Sequence, residues 1–259
     1  MKTPGRNPKS PARNPKVSLP RALSKIGCCS RAKALTLIRE GKVRVNGTVI
    51  RDSGRRVDLN LDRLDVAGRP VSPAAKIYIM LNKPRGLVVT SSDEKGRETV
   101  YDCLKAEKFP WLAPVGRLDK ASEGLLLFTN DNRWAADILD PKTHLEKTYH
   151  VQIDRIADEN LIRLLQAGIS AKGGDFLAAR SAAVLRHGTR NCWLEIVLDE
   201  GKNRQIRRLL EAFGVKVLRM VRVAIGPLLL ANLAKGTFRH LTPEEIRGLT
   251  PPPQSHVMA

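Results

Sequence analysis

Residues 115–131 read VGRLDKASEGLLLFTND and join a glycine-bounded loop to a strongly apolar segment. The run LLLF at 125–128 predicts a buried strand, because four large apolar residues follow one another. Asp119 lies in the loop between Gly116 and Gly124, so its carboxylate can be held rigidly at the edge of a core. An aspartate in such a loop is more often a turn or cap residue than a catalytic one, and the position alone does not decide between these roles.

Further strands and helices are predicted on both sides of this stretch. The segments with strand-like apolar patterns are 77–81, 125–128, 149–153 and 193–198. The segments with helical spacing are 134–139, 159–167 and 205–213. These elements do not alternate regularly, and no G-x-G-x-x-G loop follows a strand. The sequence therefore predicts an α+β domain over residues 77–250, built around a mixed, mainly antiparallel sheet flanked by helices.

A smaller unit is predicted over residues 18–72, joined to the larger domain by a linker at 73–76. Its first helix is predicted from apolar residues at helical spacing, namely Leu19, Ala22, Leu23 and Ile26. A second helix should begin after Ser30 as N-cap, carry Leu35 and Ile38 inward and end at Gly41. The following KVRVNGTVI contains Asn46-Gly47, the dipeptide preferred in type I′ hairpin turns.

The charge of the chain points to a nucleic acid partner. The formal net charge is +19, and such a field attracts phosphate polymers before any specific contact forms. The small unit carries a group of basic residues whose side chains either contact RNA phosphates or only form a solvated face: Arg31, Lys33, Arg39, Lys42 and Arg44. Residues 1–17 are predicted to be a disordered basic arm, and the proline-rich residues 251–259 a flexible tail.

Several classes of protein are disfavoured by what the sequence lacks. No run approaches the roughly 18–20 apolar residues of a membrane-spanning helix, and the N-terminus has no apolar secretory core. We therefore expect a cytoplasmic protein that does not bind membranes. The four cysteines, Cys28, Cys29, Cys103 and Cys192, form no C-x-x-C pair and have no histidines at metal-ligand spacing. We expect them to be reduced packing residues, and we expect no metal site.

Two parts of the chain resemble known families. Residues 18–72, with SRAKALTLIREGKVRVNG at their centre, resemble an S4 RNA-binding domain. The larger domain resembles the pseudouridine synthases, specifically the branch that modifies ribosomal RNA and carries an N-terminal S4 domain. The matching segments, in order, are LNKPRGLVVT at 81–90, GRLD at 116–119, EKTYHV at 146–151, EGKNRQIRRLL at 200–210 and RVAIGPLLL at 222–230.

The resemblance implies an activity and assigns roles to three residues. Members of this family convert uridine to pseudouridine without a cofactor. Asp119 would be the catalytic carboxylate, acting either as nucleophile at C1′ or as the base that removes the C2′ proton. Tyr149 would stack on the target base, although a tyrosine beside an apolar strand is ordinarily a core residue. Arg207 would pair with Asp119, and without the resemblance it is a snorkelling surface arginine.

The position of Arg207 also follows from a predicted helix. With Asn203 as N-cap, residues Ile206, Leu209, Leu210 and Phe213 form the buried stripe, which leaves Arg207 on its border and Arg208 facing away. The pocket for the target base would include Leu118 and Met220, the latter where most relatives carry leucine. Asp131 is interpreted as a turn residue and Glu123 as solvent-facing.

Five more basic residues are predicted RNA contacts: Lys83, Arg85, Arg117, Lys147 and Arg204. Lys83 could instead pack under the active-site loop. The expected partner is ribosomal RNA or a ribosomal assembly intermediate, bound by a monomer. The large-subunit RNA is favoured over the small-subunit RNA. A non-catalytic assembly factor is the second hypothesis, and a methyltransferase would need a cofactor-binding glycine loop that is absent.

Overall fold

A computed structural model describes residues 16–91, 93–171 and 174–250. The chain divides into two compact units between Ala74 and Ala75, and each unit is considered by itself. Most of the predicted basic arm and the whole predicted tail at 251–259 lie outside the described residues. Within those residues, no helix combines the length and apolar character needed to cross a membrane.

Over its described residues, 16–74, the first unit contains two short helices and six short strands. Its elements are β1 (Val17–Ser18), α1 (Leu19–Lys25), α2 (Arg31–Arg39), β2 (Val43–Val45), β3 (Thr48–Ile50), β4 (Arg56–Val57), β5 (Leu64–Val66) and β6 (Arg69–Val71). The Ser30 side chain accepts a hydrogen bond from the Lys33 amide at 3.1 Å, which confirms Ser30 as the N-cap of α2. Asn46 and Gly47 both have positive φ, as a type I′ turn requires, so the hairpin is confirmed.

The core of the first unit lies between the helices and the hairpin. Leu19, Leu23 and Ile38 are fully buried there with Val43 of β2. The prediction that Leu35 points inward is only partly met, because Leu35 is half-buried. Ala34 takes the buried position instead, since residues four apart such as Ala34 and Ile38 share one helix face.

The second unit is an α+β domain. Its strands are β7 (Tyr78–Lys83), β8 (Ala113–Val115), β9 (Glu123–Thr129), β10 (Lys147–Ile153), β11 (Ile169–Ser170), β12 (Phe176–Leu177), β13 (Ser181–His187), β14 (Cys192–Leu198), β15 (Val217–Ile225), β16 (Leu228–Leu229) and β17 (Phe238–His240). Its helices are α3 (Asn132–Leu139), α4 (Glu159–Ala167), α5 (Gln205–Ala212) and α6 (Pro243–Gly248). Short 3₁₀ turns span Val100–Leu104 and Pro141–Thr143.

Nine of the described strands form one mixed sheet. Its order is β13-β14-β10-β15-β9-β7-β17, with β16 added to β15 and β8 to β9. Every pair is antiparallel except β9 with β15. The predicted fold class is therefore confirmed.

The two halves of the sheet meet at a short junction between β9 and β15. Only Val221 with Glu123 and Arg222 with Gly124 pair across it. Gly124 has φ +101°, and a Cβ there would lie 2.2 Å from the carbonyl oxygen of Arg222. A side chain at this position would separate the strands, so Gly124 is what allows the close approach.

The predicted strands and helices of this domain are present, and two long strands were not predicted. Strand β13 was missed because most of its residues are exposed. Strand β15 was missed because Arg219 and Arg222 interrupt its apolar pattern. Arg222 is nevertheless buried, so the strand contains a polar side chain within the core.

Candidate active site

A cleft of about 460 Å³ opens in the second unit on the side where Asp119 lies. Tyr149 of β10 and Met220 and Arg222 of β15 contribute to it from the sheet. The loop before β9 adds Leu118 and Asp119. The structure therefore brings the predicted carboxylate, the predicted stacking ring and both predicted pocket residues to one cavity.

The loop that carries Asp119 is fixed through four consecutive carbonyl groups. The Ser122 amide donates to the Asp119 carbonyl at 3.0 Å, and the Gly86 amide donates to that of Lys120 at 2.8 Å. The Arg207 guanidinium donates to the Ala121 carbonyl at 3.4 Å. The Lys83 ammonium donates to the Ser122 carbonyl at 2.8 Å. Because four separate donors hold four adjacent carbonyls, the Asp119 backbone has little freedom to move.

Lys83 is therefore a support of this loop, and its prediction as an RNA contact is wrong. The side chain is fully buried, and its ammonium also donates to the Pro84 carbonyl at 3.0 Å. Burial lowers the pKa of Lys83 to about 8, although the nearby Glu123 and Asp119 oppose this shift. A buried ammonium cannot reach RNA phosphates. The alternative interpretation, packing under the loop, is the one that holds.

Two arginines of α5 and its N-terminus flank the Asp119 carboxylate. Arg204 Nη1 lies 3.7 Å from Asp119 Oδ2, and Arg207 Nε lies 4.0 Å from the same oxygen. Both distances exceed those of a direct hydrogen bond. The arginines thus supply positive potential while leaving the carboxylate oxygens free to meet a substrate.

Arg207 occupies the border of α5 as predicted, but the helix begins differently. Its N-cap is Arg204, in a left-handed conformation with φ 49°, so the prediction of Asn203 as N-cap is wrong. At the start of this helix, the Gln205 side chain accepts a hydrogen bond from the Lys202 amide at 3.1 Å. The Arg207 side chain is 15% exposed. Burial, followed by the charge of Arg204, lowers the pKa of Arg207, and Asp119 opposes this shift.

Tyr149 lies at the centre of the sheet face that contributes to the cleft. Its strand neighbours are Ile196 of β14 and Arg222 of β15. The half-buried ring packs against two hydrophobic clusters, one of which includes Met220 and the other Leu118. The ring is therefore held by apolar contacts and still forms part of the cavity surface.

Glu123 does not face solvent, so that prediction is wrong. Its side chain is 3% exposed and forms ion pairs with Arg219 at 2.9 Å and Lys235 at 2.6 Å. Burial raises its pKa, but hydrogen bonds from these two cations outweigh the burial, and the net shift is downward. Glu123 thus holds β15 and the segment before β17 against the start of β9. Asp131 caps α3 by accepting from the Arg133 amide.

The remaining predicted RNA contacts fall into two groups. Arg117, Lys147 and Arg204 line the cleft, and the exposed Arg85 is close enough to Arg207 to affect its pKa. The basic residues of the first unit are all exposed: Arg31, Lys33, Arg39, Lys42 and Arg44. Lys42 is paired with Glu40 at 2.8 Å.

Comparison with known proteins identifies the family. Residues 77–212 match the model of the RNA pseudouridylate synthases, and residues 17–62 match that of the S4 domain. The chain belongs to the RNA pseudouridylate synthase family. It is a pseudouridine synthase with an N-terminal S4 domain, and the resemblance stated from the sequence is confirmed.

Similar proteins extend over nearly the whole synthase. It is 39% identical over 236 residues to an RNA pseudouridine synthase of Aquifex aeolicus, which covers 90% of this chain and 93% of the relative. It is 36% identical over 233 residues to ribosomal large subunit pseudouridine synthase B of Bacillus subtilis, and this alignment covers 89% of this chain and 94% of the relative. A crystal structure of a pseudouridylate synthase aligns with a TM-score of 0.63 and 28% identity, and the alignment covers 90% of this chain and 100% of the chain in that crystal structure.

Sequence reasoning missed three features of the synthase's site. It did not place Arg204 beside Asp119, did not recognise Glu123 as buried, and gave Arg222 no role. Arg204 follows Asn203 in a polar segment with no signal of its contacts. Arg222 had one usable signal, since it lies between apolar residues in VRVAIG and breaks their pattern.

Proposed function

We propose that this synthase isomerises a specific uridine of large-subunit ribosomal RNA, with Asp119, Tyr149 and Arg207 as its catalytic residues. The observation that carries the proposal is the Asp119 carboxylate, which lies 4.0 Å from Arg207 in a cleft shared with Tyr149. A cavity of about 460 Å³ is of the size expected for a small-molecule or nucleotide site.

The reaction makes clear demands on the site. The N1–C1′ bond of uridine breaks, the base turns, and a C5–C1′ bond forms while C5 loses a proton and N1 gains one. The base must first leave its stack in the RNA, which costs a few kcal/mol. Tyr149 would compensate by stacking on the extruded base, with Leu118 and Met220 completing the apolar surround.

Asp119 would act on the ribose in one of two ways. As a nucleophile it would attack C1′, and as a base it would remove the C2′ proton. Both require an ionised carboxylate with a free oxygen. The flanking arginines lie 3.7 and 4.0 Å from Oδ2, beyond direct hydrogen-bond distance, so the carboxylate oxygens stay open to the ribose.

The choice of large-subunit RNA is supported by the Bacillus subtilis relative, whose name specifies that subunit. Small-subunit RNA is the alternative substrate. A non-catalytic assembly factor would not need a fixed carboxylate beside an arginine and a stacking ring. We also infer that the synthase acts as a cytoplasmic monomer, on ribosomal RNA or on an assembly intermediate of the ribosome.

Mapping pseudouridines in ribosomal RNA from cells with and without the gene tests this proposal. We expect one position of the large-subunit RNA to lose its modification, and purified enzyme to restore it in the presence of a metal chelator and without a cofactor. A lost position in the small-subunit RNA would reassign the substrate. Unchanged modification in both RNAs would refute the proposed function.

The same proposal assigns RNA binding to residues 18–72 and catalysis to residues 77–250, with a linker at 73–76. Charge reversal at Arg39 and Arg44 should weaken RNA binding and reduce the salt dependence of the affinity, because each phosphate contact releases a counterion. Both side chains are exposed on the first unit. Filter binding at several salt concentrations would measure this, with Arg69→Glu on β6 as the control. An unchanged salt slope would argue against this surface.

A further inference from the structure

Three buried polar atoms of the second unit have no hydrogen-bond partner among the described residues. They are Ser122 Oγ, Arg207 Nε and Arg222 Nη2. Folded proteins leave few such atoms, and each one calls for an explanation. Arg207 Nε faces the Asp119 carboxylate, and Ser122 belongs to the loop that carries it. Arg222 has no such explanation, although it also lines the cleft.

Within the part of the chain that the structure describes, one hydrogen bond holds the Arg222 guanidinium in place. Its Nε donates to the Leu125 carbonyl at 2.8 Å, and the residue is 6% exposed. Among the ion pairs of the described residues, none includes Arg222. A buried cation with an unused donor is costly, and because Arg222 lines the cleft, a group that enters the cleft can supply the missing acceptor.

The neighbours of Arg222 specify where that acceptor would be. Arg222 lies directly opposite Tyr149 on the adjacent strand, and such cross-strand pairs have Cβ atoms about 4.5–5.5 Å apart. Lys147, two residues before Tyr149, also lines the cleft. Burial and then the charge of Arg222 lower the pKa of Lys147, and Asp199 opposes this shift, so the two cations are close to each other.

We propose that Arg222 reads the edge of the target base, donating from its free guanidinium nitrogen to a carbonyl oxygen of the uracil stacked on Tyr149. This inference rests on the proposed role of Tyr149. A phosphate is a poorer fit, because the group would have to enter a buried position at the sheet. The exposed Arg117 and Arg204 at the same cleft are better placed for the RNA backbone.

The symmetry of uracil gives this contact a further consequence. A half-turn about the axis through N3 and C6 exchanges N1 with C5 and O2 with O4. A fixed donor therefore meets one carbonyl before the base turns and the other afterwards. Arg222 would hold the base in both orientations without moving.

Sulfur substitution of the base tests the contact, since sulfur is a weak hydrogen-bond acceptor. RNA fragments that contain the mapped target would carry uridine, 2-thiouridine or 4-thiouridine at that position. For wild-type enzyme we expect each sulfur to slow turnover on the order of 10-fold or more. Arg222→Met should lose on the order of 10- to 100-fold on the uridine fragment and show little further loss with either sulfur.

Two more variants complete the design. Arg222→Lys keeps the charge but cannot bond both Leu125 and the base, so it should behave like Arg222→Met if a fork of donors is needed. Arg186→Met is the matched control, because Arg186 is exposed over the Trp193 ring and away from the cleft. It should respond to both sulfurs as wild type does. Circular dichroism and thermal unfolding would check that each variant is folded.

The outcomes separate the contact from its alternatives. Equal sulfur effects in wild type and Arg222→Met would overturn the base contact, and a loss confined to KM with a smaller salt slope would place a phosphate there instead. If only one of the two thio substitutions slowed wild-type turnover, Arg222 would contact the base in one orientation but not in both. NMR titration of wild type and of Arg222→Met with uridine 5′-monophosphate and with its 4-thio analogue would make the same comparison through binding alone, without ribosomal RNA. A failure of the proposed RNA substrate is thereby distinguished from a failure at Arg222.

Discussion

Asp119→Asn is expected to reduce turnover by about 10⁴-fold or more while changing the affinity for ribosomal RNA by only a few-fold. The amide has the size and shape of the carboxylate, but it cannot attack C1′ or accept the C2′ proton. The Asp119 side chain is one-third exposed, and its loop is held by backbone carbonyls, so the fold should be retained. Release of tritium from [5-³H]uridine-labelled RNA would measure turnover, and filter binding would measure affinity.

Asp175→Asn is the matched control for this variant. Asp175 also pairs with an α5 arginine, since its carboxylate lies 2.9 Å from Arg208, but it does not line the cleft. Its replacement should leave turnover close to that of wild type. Full activity of Asp119→Asn would show that the carboxylate is not catalytic, and the proposed function would then fail at its central residue.

Arg207→Leu is expected to lower kcat by about 10²- to 10³-fold, the usual cost of losing one preorganised donor in an active site. The variant loses the charge beside Asp119 and the hydrogen bond to the Ala121 carbonyl. The free energy of unfolding should change little, because leucine also removes the buried, unpartnered Nε. Single-turnover kinetics and urea unfolding would measure the two effects separately.

Two other arginines of the same segment serve as comparisons. Arg204→Leu should cost far less, because the Arg204 side chain is half-exposed and an exposed ion pair contributes at most about 1 kcal/mol. Arg208→Leu should leave kcat unchanged, since Arg208 pairs with Asp175 outside the cleft. If Arg204→Leu and Arg207→Leu lost equal activity, the specific role of Arg207 would be contradicted.

The elements that the sequence predicted are those with a local pattern. The N-cap Ser30, the Asn46-Gly47 turn and the apolar run before Thr129 each depend on neighbouring residues only. The family resemblance added Asp119, Tyr149 and Arg207. The structure places Asp119 and Tyr149 in one cleft and Arg207 4.0 Å from the Asp119 carboxylate. Their catalytic roles stay predictions until the variants are measured.

The incorrect predictions concern polar side chains whose surroundings come from distant strands. Lys83 and Glu123 look like exposed residues in the sequence, because charged side chains are rarely fully buried. Lys83 is buried by the loop of Ser122, and Glu123 by Arg219 and Lys235. Those partners are 39, 96 and 112 positions away, so no local pattern could indicate them.

The sequence by itself determined a small helix-and-hairpin unit followed by an α+β domain, because periodicity and turn chemistry are local properties, and its motifs carried the resemblance to an S4 unit and a synthase. Only the tertiary structure decided which charges are buried and what they face. Gly124 lets β9 and β15 approach closely, and the pairing of β15 with β10 places Arg222 beside Tyr149. The burial of a charge depends on contacts between strands far apart in the chain, and this is the information that a linear pattern lacks.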